Sequence, residues 1–193
     1  RNLPLNGVYN PRNGGLATGV NIYVLDTGFR RSHQEFGGRA WQAADFIRFF
    51  GSRDDCNGHG TAVAAVAGGD TVGVSRNANL ISIRSAGCGG NAYNPATSVF
   101  SSTIVAGLDW VARFHSKPAV ANVSYGFPPG FWRRWFNLRT PMDRALRRAV
   151  NAGVTVVVGR GNRPSPPRFL VDRRRQPDRR LGQLGRRRAG ASG

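Results

Sequence analysis

The sequence is poor in acidic residues and in cysteine, and it contains no long apolar run. Only 10 Asp and Glu residues stand against 28 Lys and Arg residues, which gives a formal net charge of +18. No apolar run approaches the ~18–20 residues of a membrane-spanning helix, so no membrane association is expected. The chain begins at Arg1 without a signal-like hydrophobic stretch, and we expect that a targeting segment was removed or never included. The two cysteines, Cys56 and Cys88, suit either one disulfide or two free thiols.

The positive charge is concentrated at the carboxyl end. Residues 163–193 carry 10 Lys and Arg and 2 Asp and Glu (net +8), whereas residues 1–162 carry 18 and 8 (net +10). Such a block is typical of a nucleic-acid arm or a solvated tail, and an error in the coding frame would also produce it. Phe169 is its single aromatic residue, so base stacking would be poor and only nonspecific binding to anionic polymers is expected. We predict a domain over residues 1–162 and a disordered Arg/Pro-rich tail over residues 163–193.

The remaining chain alternates between two kinds of segment. Short runs rich in β-branched residues alternate with segments of helical apolar spacing, and Pro141 and Gly153 mark the first turn and the C-cap of the last helix. In chain order the segments are the strand GVNIYVLDTG, the helix HGTAVAAVAGG, the strand ANLISIRS, the helix SSTIVAGLDWVARFH, the strand PAVANVSYG, the helix TPMDRALRRAVNAG and the strand VTVVVG. This alternation predicts an α/β fold, in which a parallel β-sheet carries helices on both faces.

Polar residues stand at the ends of three predicted strands. These strands end near Asp26, Ser124 and Asn162, and ligands of parallel sheets bind beyond the carboxyl ends of the strands. Asp26 either caps its own Thr-Gly turn or orients a histidine. His59 lies between two glycines that let other groups approach its ring, and the order Asp then His favours a catalytic over a structural histidine. Asn162 is either a strand-end turn residue or a donor to a developing oxyanion.

Five blocks of the sequence occur in an order that is typical of one family. They are VNIYVLDTG, CNGHGTAVAAVAGG, STIVAGLDWVARF, ANVSYG and NAGVTVVVGRGN. Together they resemble the subtilisin-like serine proteases, and most closely the secreted proteinase K and aqualysin branch, over about residues 3–162. The resemblance implies an incomplete subtilisin-like fold and a serine-type endopeptidase that hydrolyses peptide bonds. It also implies that Asp26 is the triad acid, His59 the general base and Asn162 the oxyanion-hole donor.

The resemblance also implies a substrate-binding site. Ser124 and Gly126 match the family's substrate-pairing strand, which holds an extended peptide by β-augmentation. Gly90 and Asn91 match the opposite substrate strand. The expected partner is therefore a protein or peptide substrate.

Other expectations rest on the resemblance alone. Cys56 and Cys88 match a disulfide pair of the aqualysin-like members, which implies a secreted protein in an oxidising, extracellular setting. Calcium is common in the family, but no calcium or other metal ligand is assignable in this sequence. A monomer is expected.

The family's nucleophilic serine has no counterpart in this sequence. In the family it lies in a GTSMAxP motif far downstream of the asparagine, and no such motif follows Asn162. Ala62, Ala65 and Arg160 also depart from the family pattern, and Arg160 is an unusual neighbour for an oxyanion donor. These 193 residues are therefore predicted to be inactive, and the strand before Asn162 is expected to form an exposed sheet edge. The alternative functions are a non-catalytic peptide-binding module and nonspecific nucleic-acid binding through the basic tail.

We expect that a shift of the reading frame accounts for the arginine-rich tail. Arginine codons of the type CGN, read one base later, become GNC when the next codon begins with C, and GNC encodes Val, Ala, Gly or Asp. The segment FLVDRRRQPD then permits SLLTVGAS, which resembles a strand that the family carries shortly after its asparagine. We interpret the tail as protease sequence that is truncated and translated out of frame, which the coding DNA tests.

Overall fold

Five parallel strands form the sheet of the computed structural model, which describes residues 17–47, 54–87, 101–125 and 140–159. The strands are β1 (Asn21–Asp26), β2 (Ala40–Asp45), β3 (Asn79–Arg84), β4 (Ala119–Val123) and β5 (Thr155–Val158). Every neighbouring pair of strands is parallel, and the sheet order is β2-β3-β1-β4-β5. The predicted α/β fold with a parallel sheet is therefore confirmed.

The chain divides into two units, Arg1–Gly161 and Asn162–Gly193, and all of the described residues belong to the first. The predicted disordered tail over residues 163–193 lies outside the described residues and stays a prediction.

Helices pack on both faces of the sheet, as the alternation of segments predicts. Side chains alternate between the faces of a strand, so Ile22 and Val24 of β1 join one apolar cluster and Tyr23 and Leu25 join the other. The first cluster is closed by α1 (His59–Gly68), and the second by α2 (Ser101–Phe114) and α3 (Pro141–Asn151). A short 3₁₀ helix spans Gln34–Phe36. None of the described helices is both long and apolar enough to cross a membrane.

The ends of α3 carry recognisable capping residues. The Thr140 hydroxyl accepts a hydrogen bond from the Asp143 backbone N–H at 3.1 Å, and the Asp143 carboxylate accepts one from the Thr140 N–H at 3.1 Å. Pro141 lies in the first turn, as predicted. The predicted C-cap is wrong by one residue, because Ala152 is the C-cap and Gly153 follows it with a φ of 95°. That left-handed conformation is the one that glycine supplies just after a helix.

The start of α1 lies very close to the loop that follows β1. A Cβ atom at Gly60 would lie only 2.2 Å from the carbonyl oxygen of Gly28, so the residue at this position cannot carry a side chain without a shift of the backbone. Gly58 has a φ of 91°, which favours glycine, and it turns the chain into the helix. The two glycines that flank His59 therefore allow the chain to hold this residue against the end of β1.

Candidate active site

Asp26 is a fully buried carboxylate at the carboxyl end of β1. Its Oδ1 accepts a hydrogen bond from the Thr27 backbone N–H at 2.7 Å and also contacts the His59 ring. Its Oδ2 is buried, and no described residue donates to it. Asp26 therefore accepts a hydrogen bond within its own turn and also contacts the His59 ring. The two roles considered from the sequence, a cap of the turn and a group that orients a histidine, are compatible.

His59 is the first residue of α1, and its Nδ1 lies 2.7 Å from Oδ1 of Asp26. The side chain is 23% exposed, so the ring is neither sealed in the core nor free in solvent. A carboxylate at Nδ1 fixes the tautomer that leaves Nε2 able to accept a proton. The structure thus brings together the two residues for which the sequence predicted an acid–base relationship.

The carboxylate also changes the charge state of the ring. The hydrogen bond to Asp26 raises the pKa of His59, burial opposes this effect, and the negative charges of Asp26 and Asp55 raise it further. The positive imidazolium is therefore stabilised at this position. That is the form that a general base adopts after it has taken a proton.

Ser124 follows β4 at the same edge of the sheet as Asp26. Leu25 pairs with Val123 across β1 and β4, which places the residues after both strands side by side. The Ser124 hydroxyl accepts a hydrogen bond from the Asn122 side-chain amide at 2.8 Å. Gly159 lies against the backbone of Ser124, where an added Cβ would approach its carbonyl to 3.2 Å.

The other predicted site residues lie outside the described residues. They are Gly90, Asn91, Gly126, Asn162 and Cys88. Their predicted roles in substrate binding, oxyanion stabilisation and disulfide pairing stay predictions.

Sequence reasoning missed several residues beside the pair. Asp55, Thr27 and Thr61 form a hydrogen-bonded cluster around the start of α1. Tyr125 is buried, and no described residue bonds to its hydroxyl. Burial raises the pKa of Tyr125, and the charges of Asp26 and Asp55 add to this effect. The carboxylate four residues before the histidine was the available signal for Asp55; Tyr125 offered none, since tyrosine at a strand end is usually a core residue.

The described residues contain no group of three or more His, Cys, Asp or Glu side chains that could hold a metal ion. The calcium that the family resemblance makes possible has no assigned ligands and stays a prediction.

The fold and the site together define a class of protein. It is an α/β protein in which a buried carboxylate orients a histidine at the carboxyl edge of a parallel sheet, an arrangement that activates nucleophiles in hydrolases. Residues 17–174 match Peptidase S8, the Subtilase family. The chain belongs to this family, and the resemblance predicted from the sequence is confirmed.

Relatives of this chain are named as proteinases. The chain is 45% identical over 162 residues to the extracellular serine proteinase of Thermus sp. (strain Rt41A). This match covers 84% of the chain and 35% of that relative. The chain is also 40% identical over 162 residues to the alkaline serine exoprotease A of Vibrio alginolyticus. That match covers 84% of the chain and 27% of that relative. The chain thus spans well under half the length of either relative.

A solved structure is similar as well. The crystal structure of a cold adapted subtilisin-like serine proteinase is 39% identical in sequence and superposes with a TM-score of 0.66. The match covers 82% of this chain and 51% of that chain. The predicted subtilisin-like fold is therefore confirmed.

Proposed function

We propose that this chain carries the acid and the general base of a subtilisin-like serine endopeptidase. The observation that carries the proposal is the 2.7 Å contact between the His59 ring and the buried Asp26 carboxylate, at the edge of the sheet where ligands bind. The membership of the Subtilase family supports it. The substrate is an extended protein or peptide.

The proposed reaction is acyl transfer from the peptide to a serine. His59 takes the proton of the serine hydroxyl while the oxygen attacks the peptide carbonyl, and it later gives the proton to the leaving amine. Asp26 orients the ring and stabilises the imidazolium. Asn162 donates a hydrogen bond to the oxyanion, and Ser124 and Gly126 pair with the substrate backbone.

We further propose that a polypeptide of only these 193 residues does not form an acyl-enzyme. The family's GTSMAxP motif does not occur in it. Loss of the nucleophile from such a triad removes nearly all of the chemical step and leaves the effects of binding and of the oxyanion donors.

An extracellular location with one disulfide completes the proposal. One relative is named as extracellular. Cys56 is disulfide-bonded, and Cys88 is the only other cysteine of the sequence, so we take Cys88 as its partner. Such a bond persists in oxidising, extracellular environments.

Labelling with a serine-directed fluorophosphonate tests the proposal. Residues 1–162 would be joined to the part of the Thermus proteinase that follows its matched segment, which supplies a downstream segment from a protein named as a serine proteinase. We expect the chimera to be labelled, His59→Ala to slow labelling by several orders of magnitude, and the matched variant His115→Ala to label normally. The 193-residue chain itself should not be labelled.

Two outcomes would contradict the proposal. A chimera that unfolds cooperatively and is not labelled would show that the pair is not a working acid and base. Labelling of the 193-residue chain at any serine would show that it holds a nucleophile of its own.

A further inference from the structure

The Asp55 carboxylate joins the loop that follows Asp26 to the start of α1, which carries His59. We propose that Asp55 is a positioning residue, which holds the start of α1 against the end of β1 so that the His59 ring meets the Asp26 carboxylate. This inference rests on the proposed function, because it names the residue that keeps the Asp26 carboxylate and the His59 ring in contact.

Five hydrogen bonds converge on the Asp55 carboxylate. Its Oδ1 accepts from the Thr27 hydroxyl at 2.8 Å and from the backbone N–H groups of Asn57 and Gly58 at 3.0 and 2.9 Å. Its Oδ2 accepts from the N–H and the hydroxyl of Thr61 at 2.9 and 2.5 Å. Both oxygens are thus engaged by the loop and the helix start that surround His59.

The two threonines extend this cluster across both segments. The Thr27 hydroxyl accepts a hydrogen bond from the Gly60 N–H at 2.9 Å. The Thr61 hydroxyl accepts one from the Arg30 N–H at 2.9 Å. Each hydroxyl therefore takes a donor from the opposite segment and gives its own proton to Asp55, so the two segments are linked at two points.

The linked residues are direct neighbours of the pair. Thr27 follows Asp26, and Gly60 follows His59. A small shift of one segment against the other would lengthen the 2.7 Å contact between the His59 ring and Asp26. Misplacement of a catalytic group by about 1 Å can cost ~10²-fold in rate, so the cluster has a functional consequence beyond stability.

Only an ionised carboxylate satisfies this geometry. All five hydrogen bonds are donated to the carboxylate, and an amide at position 55 would replace one acceptor oxygen with an NH₂ group that can only donate. Burial disfavours ionisation of Asp55, but the hydrogen bonds from Thr61, Gly58 and Asn57 outweigh burial and lower its pKa. The resulting negative charge also favours the protonated His59 ring.

The His59 ring in the 193-residue chain provides the test, because it reports on the pair without any nucleophile. The pKa of each histidine is followed by ¹H–¹⁵N NMR against pH, and solvent exchange of the His59 ring N–H is measured. His33 and His115 serve as internal references. We expect Asp55→Asn to lower the pKa of His59 and to speed exchange of its ring N–H several-fold, while the matched control Asp54→Asn changes neither.

A second variant separates position from charge. Thr61→Val keeps the Asp55 carboxylate and removes one hydroxyl of the cluster, and we expect the same direction of change. If Asp55→Asn does not fold, the test rests on Thr61→Val alone. An unchanged pKa of His59 and an unchanged exchange rate of its ring N–H in that variant overturn the proposal.

The remaining outcomes are distinct. A folded Asp55→Asn variant with an unchanged His59, or an equal effect of Asp54→Asn, overturns the positioning role and leaves the proposed function standing. A parent chain whose His59 has an ordinary pKa and an unprotected ring N–H overturns the acid–base pair itself, and the positioning role with it.

Discussion

At the scale of single residues, the site depends on one buried oxygen atom with two donors. Oδ1 of Asp26 takes both the Thr27 N–H and the His59 ring. A buried charge is tolerated only when it is paired and hydrogen-bonded. The second oxygen, Oδ2, has no partner among the described residues, so the hydrogen bonds at Oδ1 carry the observed satisfaction of this carboxylate.

Asp26→Asn is expected to change how stability depends on pH. Because the folded-state pKa of His59 is raised above its ordinary value of ~6.5, protonated His59 stabilises the fold fully below about pH 6.5. This contribution is lost as the pH rises through the folded-state pKa. The parent chain should therefore lose stability over that window, and Asp26→Asn should not. Urea unfolding at a series of pH values measures this.

The matched control for this prediction is Asp109→Asn. It removes a half-buried carboxylate whose ion pair with Arg148 links α2 and α3 and involves no histidine. It should leave the pH dependence near neutrality unchanged. The same pH dependence in the parent chain and in Asp26→Asn would contradict the expected coupling.

The sequence predicted these residues unevenly. Asp26 and His59 were found because a strand end and two flanking glycines mark them locally. Asp55 was missed because its role depends on Thr27 and Thr61, which lie 28 and 6 residues away along the chain. The bonds from Asn57, Gly58 and Thr61 are local, but the bond from Thr27 joins a distant segment, and no local pattern encodes that contact.

At the scale of elements, the placement of α1 depends on the absence of side chains. An added Cβ at Gly60 would lie 2.2 Å from the backbone oxygen of Gly28, whereas one at Gly107 of α2 would meet only methyl groups of Leu25 and Ile83, at 3.0 and 3.1 Å. Relief at Gly60 needs a shift of the backbone, but relief at Gly107 needs a shift of side chains by only a few tenths of an ångström. The two glycines therefore offer a comparison in which the same substitution meets different obstacles.

Gly60→Ala is expected to cost about 1–3 kcal/mol of unfolding free energy and to weaken the contact between His59 and Asp26. Gly107→Ala should cost clearly less, because the higher helix propensity of alanine, ~1 kcal/mol, offsets part of the crowding. Urea unfolding measures both variants, and the His59 ring N–H signal reports on the contact. Equal costs for the two substitutions would contradict the close approach of α1 to the loop after β1.

Most elements were predicted from the sequence, and one strand was not. The segments around β1, β3, β4 and β5 are rich in β-branched residues, which favour strands. β2 has the sequence AWQAAD, which contains three alanines and little β propensity, and most of its residues are only half-buried. It is a strand because it pairs with β3, with a shift of register between Gln42 and Ala44.

At the scale of the whole molecule, the described sheet ends at β5. This strand pairs with β4, and it is the last strand in the order of the described sheet. Val157 is 52% exposed there, whereas Val156 packs against the apolar cluster beneath the sheet. The sequence predicts that this strand forms an exposed edge, and an apolar, uncharged edge strand is a template for pairing with other chains.

Val157→Lys is expected to reduce aggregation of the 193-residue chain with little loss of stability, because a charged residue on an exposed edge disfavours edge-to-edge pairing. Val156→Lys is the matched contrast, and it should destabilise the fold because it would bury a charge. Light scattering against concentration measures aggregation, and urea unfolding measures stability. Undiminished aggregation in a folded Val157→Lys variant would contradict the role of this edge.

The amino-acid sequence by itself determined the alternation of strands and helices, the family and the two residues of the proposed acid–base pair. Each of these features is encoded by short stretches of sequence, since β propensity, helical spacing and flanking glycines act over a few residues. Only the tertiary structure decided the strand order, the existence of β2 and the cluster around Asp55. These depend on contacts between segments that are distant in the chain, and their free energy comes from packing and from hydrogen bonds that form only when the segments meet.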